Sequence, residues 1–228
     1  VYQHARQGND EAVYCIELKT GKLKWRQNHA VPFKASPGGE RHGAGPKSSP
    51  ALADGRLFTM SITGDLSAWN AETGRLLWRT GYGPRFQPNR PNWGVATSPI
   101  VDGERVIAHF GNDDKGALVA LDVESGAEIW SQGKDGPSYS SPLVVEIHGV
   151  RQVVEWNHRA LVGVESGSGR FLWEIPFPHI GSDQNMPTPV FHRGRVLLGG
   201  ENRGIHCLQP QANGGTWSVK ERWHQEEV

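Results

Sequence analysis

The 228-residue chain has little cysteine, two residues in all, and no surplus charge of either sign: 24 Lys and Arg balance 24 Asp and Glu. One cysteine pair at most excludes a disulfide-rich scaffold. The balanced charge gives no long-range field to draw in nucleic acid or an anionic membrane, so neither is an expected partner. No apolar run approaches the length of a membrane span, and no transmembrane segment is expected. No stretch has a convincing helical period. The opening Val1-Tyr2-Gln3-His4 reads as the inside of a strand and not as a leader. There is no nucleophile elbow, phosphate loop or paired metal-ligand motif to support hydrolysis. The ten histidines are dispersed, without a Cys/His cluster or a His-x-x-x-His pair, so no metal site is expected.

What is abundant is glycine, proline and tryptophan, at 29, 15 and nine residues. Gly and Pro at this level cut a chain into short strands. The tryptophans reveal a repeat: small-x-polar-x-x-x-Gly-x-x-x-Trp. It runs from Cys15 to Trp25, from Ala68 to Trp78, from Ala120 to Trp130 and from Gly163 to Trp173, with a looser copy from Cys207 to Trp223. A period of about 50 residues suits a four-stranded propeller blade. Upstream of four of these tryptophans stands Ser/Thr-Pro: Ser49-Pro50, Ser98-Pro99, Ser141-Pro142 and Thr188-Pro189. Proline is tolerated at the first residue of a strand, where its missing N–H lies outside the ladder. A hairpin pair follows each: Asp54-Gly55, Asp102-Gly103, His148-Gly149 and Arg193-Gly194.

The expected fold is therefore all-β, a β-propeller of four-stranded antiparallel blades. A partial blade spans residues 1–27, and full blades span 48–80, 97–132, 140–175 and 187–225. The first unit lacks its Pro-led strand, so the chain reads as four to five blades of a larger ring. A closed five-bladed ring is the rival reading. Trp25, Trp78, Trp130, Trp173 and Trp223 recur in phase and are read as structural rings packed between blades, each indole N–H bonded to backbone. Cys15 and Cys207 occupy the small-residue position and are expected to be buried and unbridged.

The Ala-x-Asp-x-x-x-Gly-x-x-x-Trp unit, complete from Ala120 to Trp130, resembles the tryptophan-docking motif of quinoprotein alcohol dehydrogenase-like propellers. The likeness covers nearly the whole chain and extends to Gly45-Pro46-Lys47-Ser48-Ser49-Pro50, Asp114-Lys115-Gly116-Ala117-Leu118 and Asp183-Gln184-Asn185, segments similar to the PQQ-binding-like β-propeller repeat proteins. The resemblance implies an eight-bladed ring, exported to the periplasm or cell surface of a bacterium. It leaves activity open, because catalytic quinoproteins and the non-catalytic scaffold lipoprotein of the outer-membrane barrel-assembly machinery share the repeat. Many of the catalytic members carry an adjacent cysteine pair beside the quinone, which this chain lacks.

In a meander the second turn of each blade and the link to the next blade lie on one face. The links from Trp25 to Pro50 and from Trp78 to Pro99 are the long ones, and long loops are more often functional. That face gathers the binding candidates: Arg41, His42, Lys47, Trp93, Tyr139, Asp183, Gln184 and Asn185 from links, and Asp114, Lys115, Asn157 and Arg159 from second turns. Lys47, Tyr139, Gln184 and Asn185 precede a Ser/Thr-Pro and are expected at the mouth of the central channel. Two functions fit. One is a non-catalytic binding or scaffold propeller for a protein or polysaccharide partner, with no cofactor. The other is a dehydrogenase using pyrroloquinoline quinone and calcium, with Asp114 or Asp183 as the available base.

Overall fold

The computed structural model of the chain describes residues 1–180 and 184–226. Among them five antiparallel sheets follow one another, each a simple meander in chain order. The first has three strands, β1 (Tyr2–Gln7), β2 (Asp10–Ile16) and β3 (Leu23–Ala30). The second holds β4 (Ala51–Ala53), β5 (Arg56–Met60), β6 (Asp65–Asn70) and β7 (Leu76–Gly81). The third holds β8 (Ile100–Asp102), β9 (Arg105–Gly111), β10 (Gly116–Asp122) and β11 (Glu128–Gln132). The fourth holds β12 (Leu143–Ile147), β13 (Val150–Trp156), β14 (Ala160–Glu165) and β15 (Phe171–Pro176). The fifth holds β16 (Val190–His192), β17 (Arg195–Gly199), β18 (Ile205–Asn213) and β19 (Thr216–Gln225). One short 3-10 turn, Glu40–His42, lies in the first link. These are the blades of a propeller segment.

The turns follow from their residues. Asp54-Gly55, His148-Gly149 and Arg193-Gly194 all have positive φ at both positions, as a two-residue hairpin of matching twist requires. Asp102 departs from this pattern. It stays in the strand, paired with Arg105, and Gly103-Glu104 makes the turn. Its buried carboxylate accepts instead from Arg151 Nε at 2.6 Å and from the Ser166 hydroxyl, tying the third sheet to the fourth.

The repeat motif acts at the third turn. The small residue pairs directly with the tryptophan in all five sheets: Cys15 with Trp25, Ala68 with Trp78, Ala120 with Trp130, Gly163 with Trp173 and Cys207 with Trp223. A bulge follows the small residue each time. Trp25, Trp78 and Trp130 then reach into the next sheet. Their indole N–H groups donate to the carbonyls of Ala71, Val123 and Ser166 at 3.0, 3.1 and 3.0 Å. Each ring lies on the turn glycine of that sheet. A Cβ on Gly74, Gly126 or Gly169 would sit 2.7–2.8 Å from the indole.

Trp173 breaks the series. Its N–H donates to Gln152 Oε1 within its own sheet, at 2.8 Å, and its ring covers Gly163. The cause lies in the fifth sheet, where β18 and β19 continue to a tip at Asn213 and Thr216. The glycine turn is carried out to that tip, at Gly214-Gly215, away from the position that Gly74, Gly126 and Gly169 hold in the other sheets. Trp223, in the last described strand, is 46% exposed. Cys15 and Cys207 are buried free thiols.

The seams between sheets are apolar. Phe58 and Phe110 share the core between the second and third sheets, and Trp156 and Leu161 that between the fourth and fifth. Full burial of each such side chain stabilises by about 1.5–3 kcal/mol. Polar pairs sit inside two seams: Glu11 beside His4 at 3.1 Å, accepting from the Ile62 N–H, and Glu155 with His109. Near the axis, the Ser/Thr of each Ser/Thr-Pro joins one sheet to the next. Ser49 N–H donates to Ser98 Oγ, Ser98 N–H to Ser141 Oγ, and Ser141 N–H to Thr188 Oγ1, at 2.9, 3.0 and 3.2 Å.

Candidate functional site

Each inter-sheet link approaches the axis just before its Ser/Thr-Pro. The residue three before each proline is Lys47, Ala96, Tyr139 or Met186. These four, with His42, Trp93 and Glu201, line an open cavity of about 510 Å³. That volume is within the range of small-molecule and side-chain pockets. Trp93, from the same link as Ala96, supplies an aromatic wall of the cavity.

Trp93 is held from both sides. Its carbonyl accepts from Lys47 Nζ at 2.7 Å, and its N–H donates to Tyr139 Oη at 3.3 Å. Its indole lies 5.8 Å from the His42 ring and 6.0 Å from the Tyr139 ring, centroid to centroid. Gly39 packs against it so closely that a Cβ there would come within 2.8 Å of Trp93 Cδ1. Burial lowers the Lys47 pKa from its ordinary value. Burial also pushes Tyr139 up to about 12, with the Asp113 charge adding to the rise. The ring therefore stays neutral through the physiological range.

Of the twelve candidates read from the sequence, the cavity brings together His42, Lys47, Trp93 and Tyr139. Arg41 is exposed on the 3-10 turn, and Asp114 and Lys115 are exposed on the β9–β10 turn. Asn157 is buried as a turn cap, accepting from the N–H groups of Arg159 and Ala160 at 2.8 and 2.9 Å. Arg159 pairs with Asp135 at 3.3 Å and lines a separate cleft with His158 and His179. Asn185 was expected at the channel mouth but is fully buried. Its amide donates to the Asn157 carbonyl at 3.0 Å and accepts from Arg203 at 2.7 Å, which pins the last link. Gln184 is half-buried and does not line the cavity. Asp183 lies outside the described residues. Ala96 and Met186 were missed, although counting three back from each proline would have found both.

The dispersed histidines also include a group hidden from the sequence. His206, Glu221 and His224 offer ligand atoms within 4.8 Å of one another. This is the one such set of three His, Cys, Asp or Glu groups among the described residues.

The cavity does not suit a calcium-bound quinone. Calcium takes six to eight oxygen ligands, whereas among the residues lining this cavity Glu201 is the sole carboxylate and Lys47 is a cation. The two cysteines lie in different sheets, on β2 and β18.

The family described as "Outer membrane protein assembly factor BamB" matches residues 9–228. The chain is 26% identical over 192 residues to outer membrane protein assembly factor BamB of Moranella endobia, covering 82% of this chain and 44% of that protein. It is 28% identical over 202 residues to polyvinylalcohol dehydrogenase of a Sphingopyxis species, covering 78% of this chain and 27% of that one. Among solved structures, BamB from Moraxella catarrhalis superposes with a TM-score of 0.64 at 13% identity, over 98% of this chain and 57% of that one, a likeness of fold. The chain spans about half the length of the assembly factors it matches. With its five successive sheets and repeated tryptophan motif, it belongs to the outer membrane protein assembly factor BamB family of PQQ-like β-propellers.

Proposed function

We propose that the chain is a segment of a non-catalytic, eight-bladed binding propeller that receives an apolar side chain of a protein partner in the Trp93 cavity. The observation that carries this reading is how the cavity's polar groups are used. Lys47 and Tyr139 are both bonded to the Trp93 backbone, so they hold an aromatic wall instead of facing a reacting centre. A Trp and Tyr wall with an adaptable Met beside it is typical of pockets that anchor a protein side chain. The blades fall at 48–80, 97–132, 140–175 and 187–225, and the partner approaches from the inter-blade face. The names of the assembly-factor relatives favour a protein over a polysaccharide. They also favour a place at the periplasmic side of the outer membrane or at the cell surface. No helix among the described residues is long and apolar enough to cross a membrane.

The test is a photo-crosslinker placed at Met186 of the full-length protein in cells. A discrete protein adduct is expected there, lost in Trp93→Ala and absent when the probe is placed at the exposed Leu18 of a third turn. Micromolar, calcium-dependent binding of pyrroloquinoline quinone, measured by calorimetry, would instead establish the oxidoreductase reading.

A further inference from the structure

We propose that His206, Glu221 and His224 form a zinc site that clips β18 to β19. His206 and His224 are direct partners across the two strands. Cross-strand partners place their Cβ atoms about 4.5–5.5 Å apart, and the two rings stack at 3.8 Å with their planes 13° apart. The third ligand comes from the bulge. Because the register shifts between Cys207 and Leu208, Glu221 pairs with Leu208, and its carboxylate reaches His206 Nδ1 at 2.9 Å.

The surroundings prepare the imidazoles for a metal. The Nε2 atoms of His206 and His224 both face the Arg203 carbonyl, at 3.1 and 2.9 Å. Metal-binding histidines characteristically donate their second ring N–H to a carbonyl or carboxylate. Donation from Nε2 leaves the lone pair on Nδ1. In the neutral ring the His206 Nδ1 lone pair then faces a carboxylate oxygen, so two acceptors meet unless a proton or a metal ion lies between them. A cation shared by the two resolves that contact. Two imidazoles and one carboxylate suit zinc, with water as the fourth ligand. The site is open enough to admit that water, since the Glu221 side chain is 45% exposed. Binding tilts the two rings from parallel to convergent about the ion.

The site lies apart from the Trp93 cavity, and its test is independent of partner binding. The full chain, stripped with a chelator, is titrated calorimetrically with zinc chloride. One equivalent is expected to bind with a Kd on the order of micromolar. His224→Ala and Glu221→Gln each remove a ligand and should weaken binding at least about tenfold, the smallest loss seen when even an outer-shell partner of a ligand is removed. Zinc should raise the Tm of the parent protein and leave that of His224→Ala unchanged. Both variants change exposed groups, and an unaltered Tm without metal shows that they fold. Zinc binding weaker than about millimolar, or equal affinity in a His206→Ala/His224→Ala double variant, overturns the proposal. So does a proton alone satisfying the pair, seen as pH-dependent histidine NMR shifts that zinc does not move.

Discussion

The seam between the third and fourth sheets and the seam between the fourth and fifth start from the same motif and close differently. Trp130 leaves its own sheet, lies on Gly169 and donates to the Ser166 carbonyl. Trp173 has the same strand position and the same bulge, yet it turns back over Gly163 and donates to Gln152. The difference teaches that the tryptophan does not choose its partner. The next sheet does, by offering or withholding a tight glycine turn. Where the turn is replaced by the long β18–β19 hairpin, the indole folds inward, and the small residue of the motif must then give up even its Cβ.

The largest effect expected from breaking this contrast is at Trp130. Trp130→Ala should cost about 3–5 kcal/mol by chemical denaturation, the range of large aromatic truncations. A cost below about 1 kcal/mol would mean that the inter-sheet contact contributes little. Next comes Gly163→Ala, whose new Cβ would stand 2.1 Å from the Trp173 ring. Overpacking of this kind costs about 1–3 kcal/mol. The reverse change at the equivalent position, Ala120→Gly, should cost only about 0.5–1 kcal/mol, the backbone entropy of a strand glycine. Equal costs for the two would erase the distinction between the seams.

The smallest effect concerns the first seam, which closes like the third but carries His29 beside the Trp69 ring, with centroids 6.1 Å apart. Burial lowers the His29 pKa to about 4, and the Arg79 and His4 charges act in the same direction, against Glu11 and Asp10. The unfolded chain, with a histidine near its ordinary value of about 6.5, binds the proton first. Stability from this group is thus complete above about pH 6.5 and falls as the pH drops toward 4. His29→Phe should flatten the denaturation midpoint across that window. An unchanged pH profile would show that His29 is solvated.

Much of this architecture was legible in the residues. The Pro-led strands, the glycine hairpins and the small-residue pairing of each tryptophan are local matters of φ, of side-chain size and of period-two alternation. The cavity was half legible. Lys47 and Tyr139 stand three before a proline and do face it, whereas Asn185 stands four before and is turned into the seam. Asn185 adopts a φ of +53°, a left-handed conformation that an asparagine tolerates, and this local bend, which the spacing does not reveal, turns its amide inward. Glu221 and His224 looked unrelated to His206 because spacing along the chain does not reveal the bulge at Arg222, between them on β19, that puts both on the His206 face.

The sequence by itself determined that the chain folds as successive antiparallel meanders and where most of the turns and the motif tryptophans fall, because those properties depend on neighbours a few residues apart. The tertiary structure alone decided which tryptophan reaches the next sheet, that Asn185 turns into the seam, and that two histidines and a glutamate converge. Those outcomes depend on the shape of the facing strand, bulge or turn that each side chain meets, which no spacing along the chain encodes.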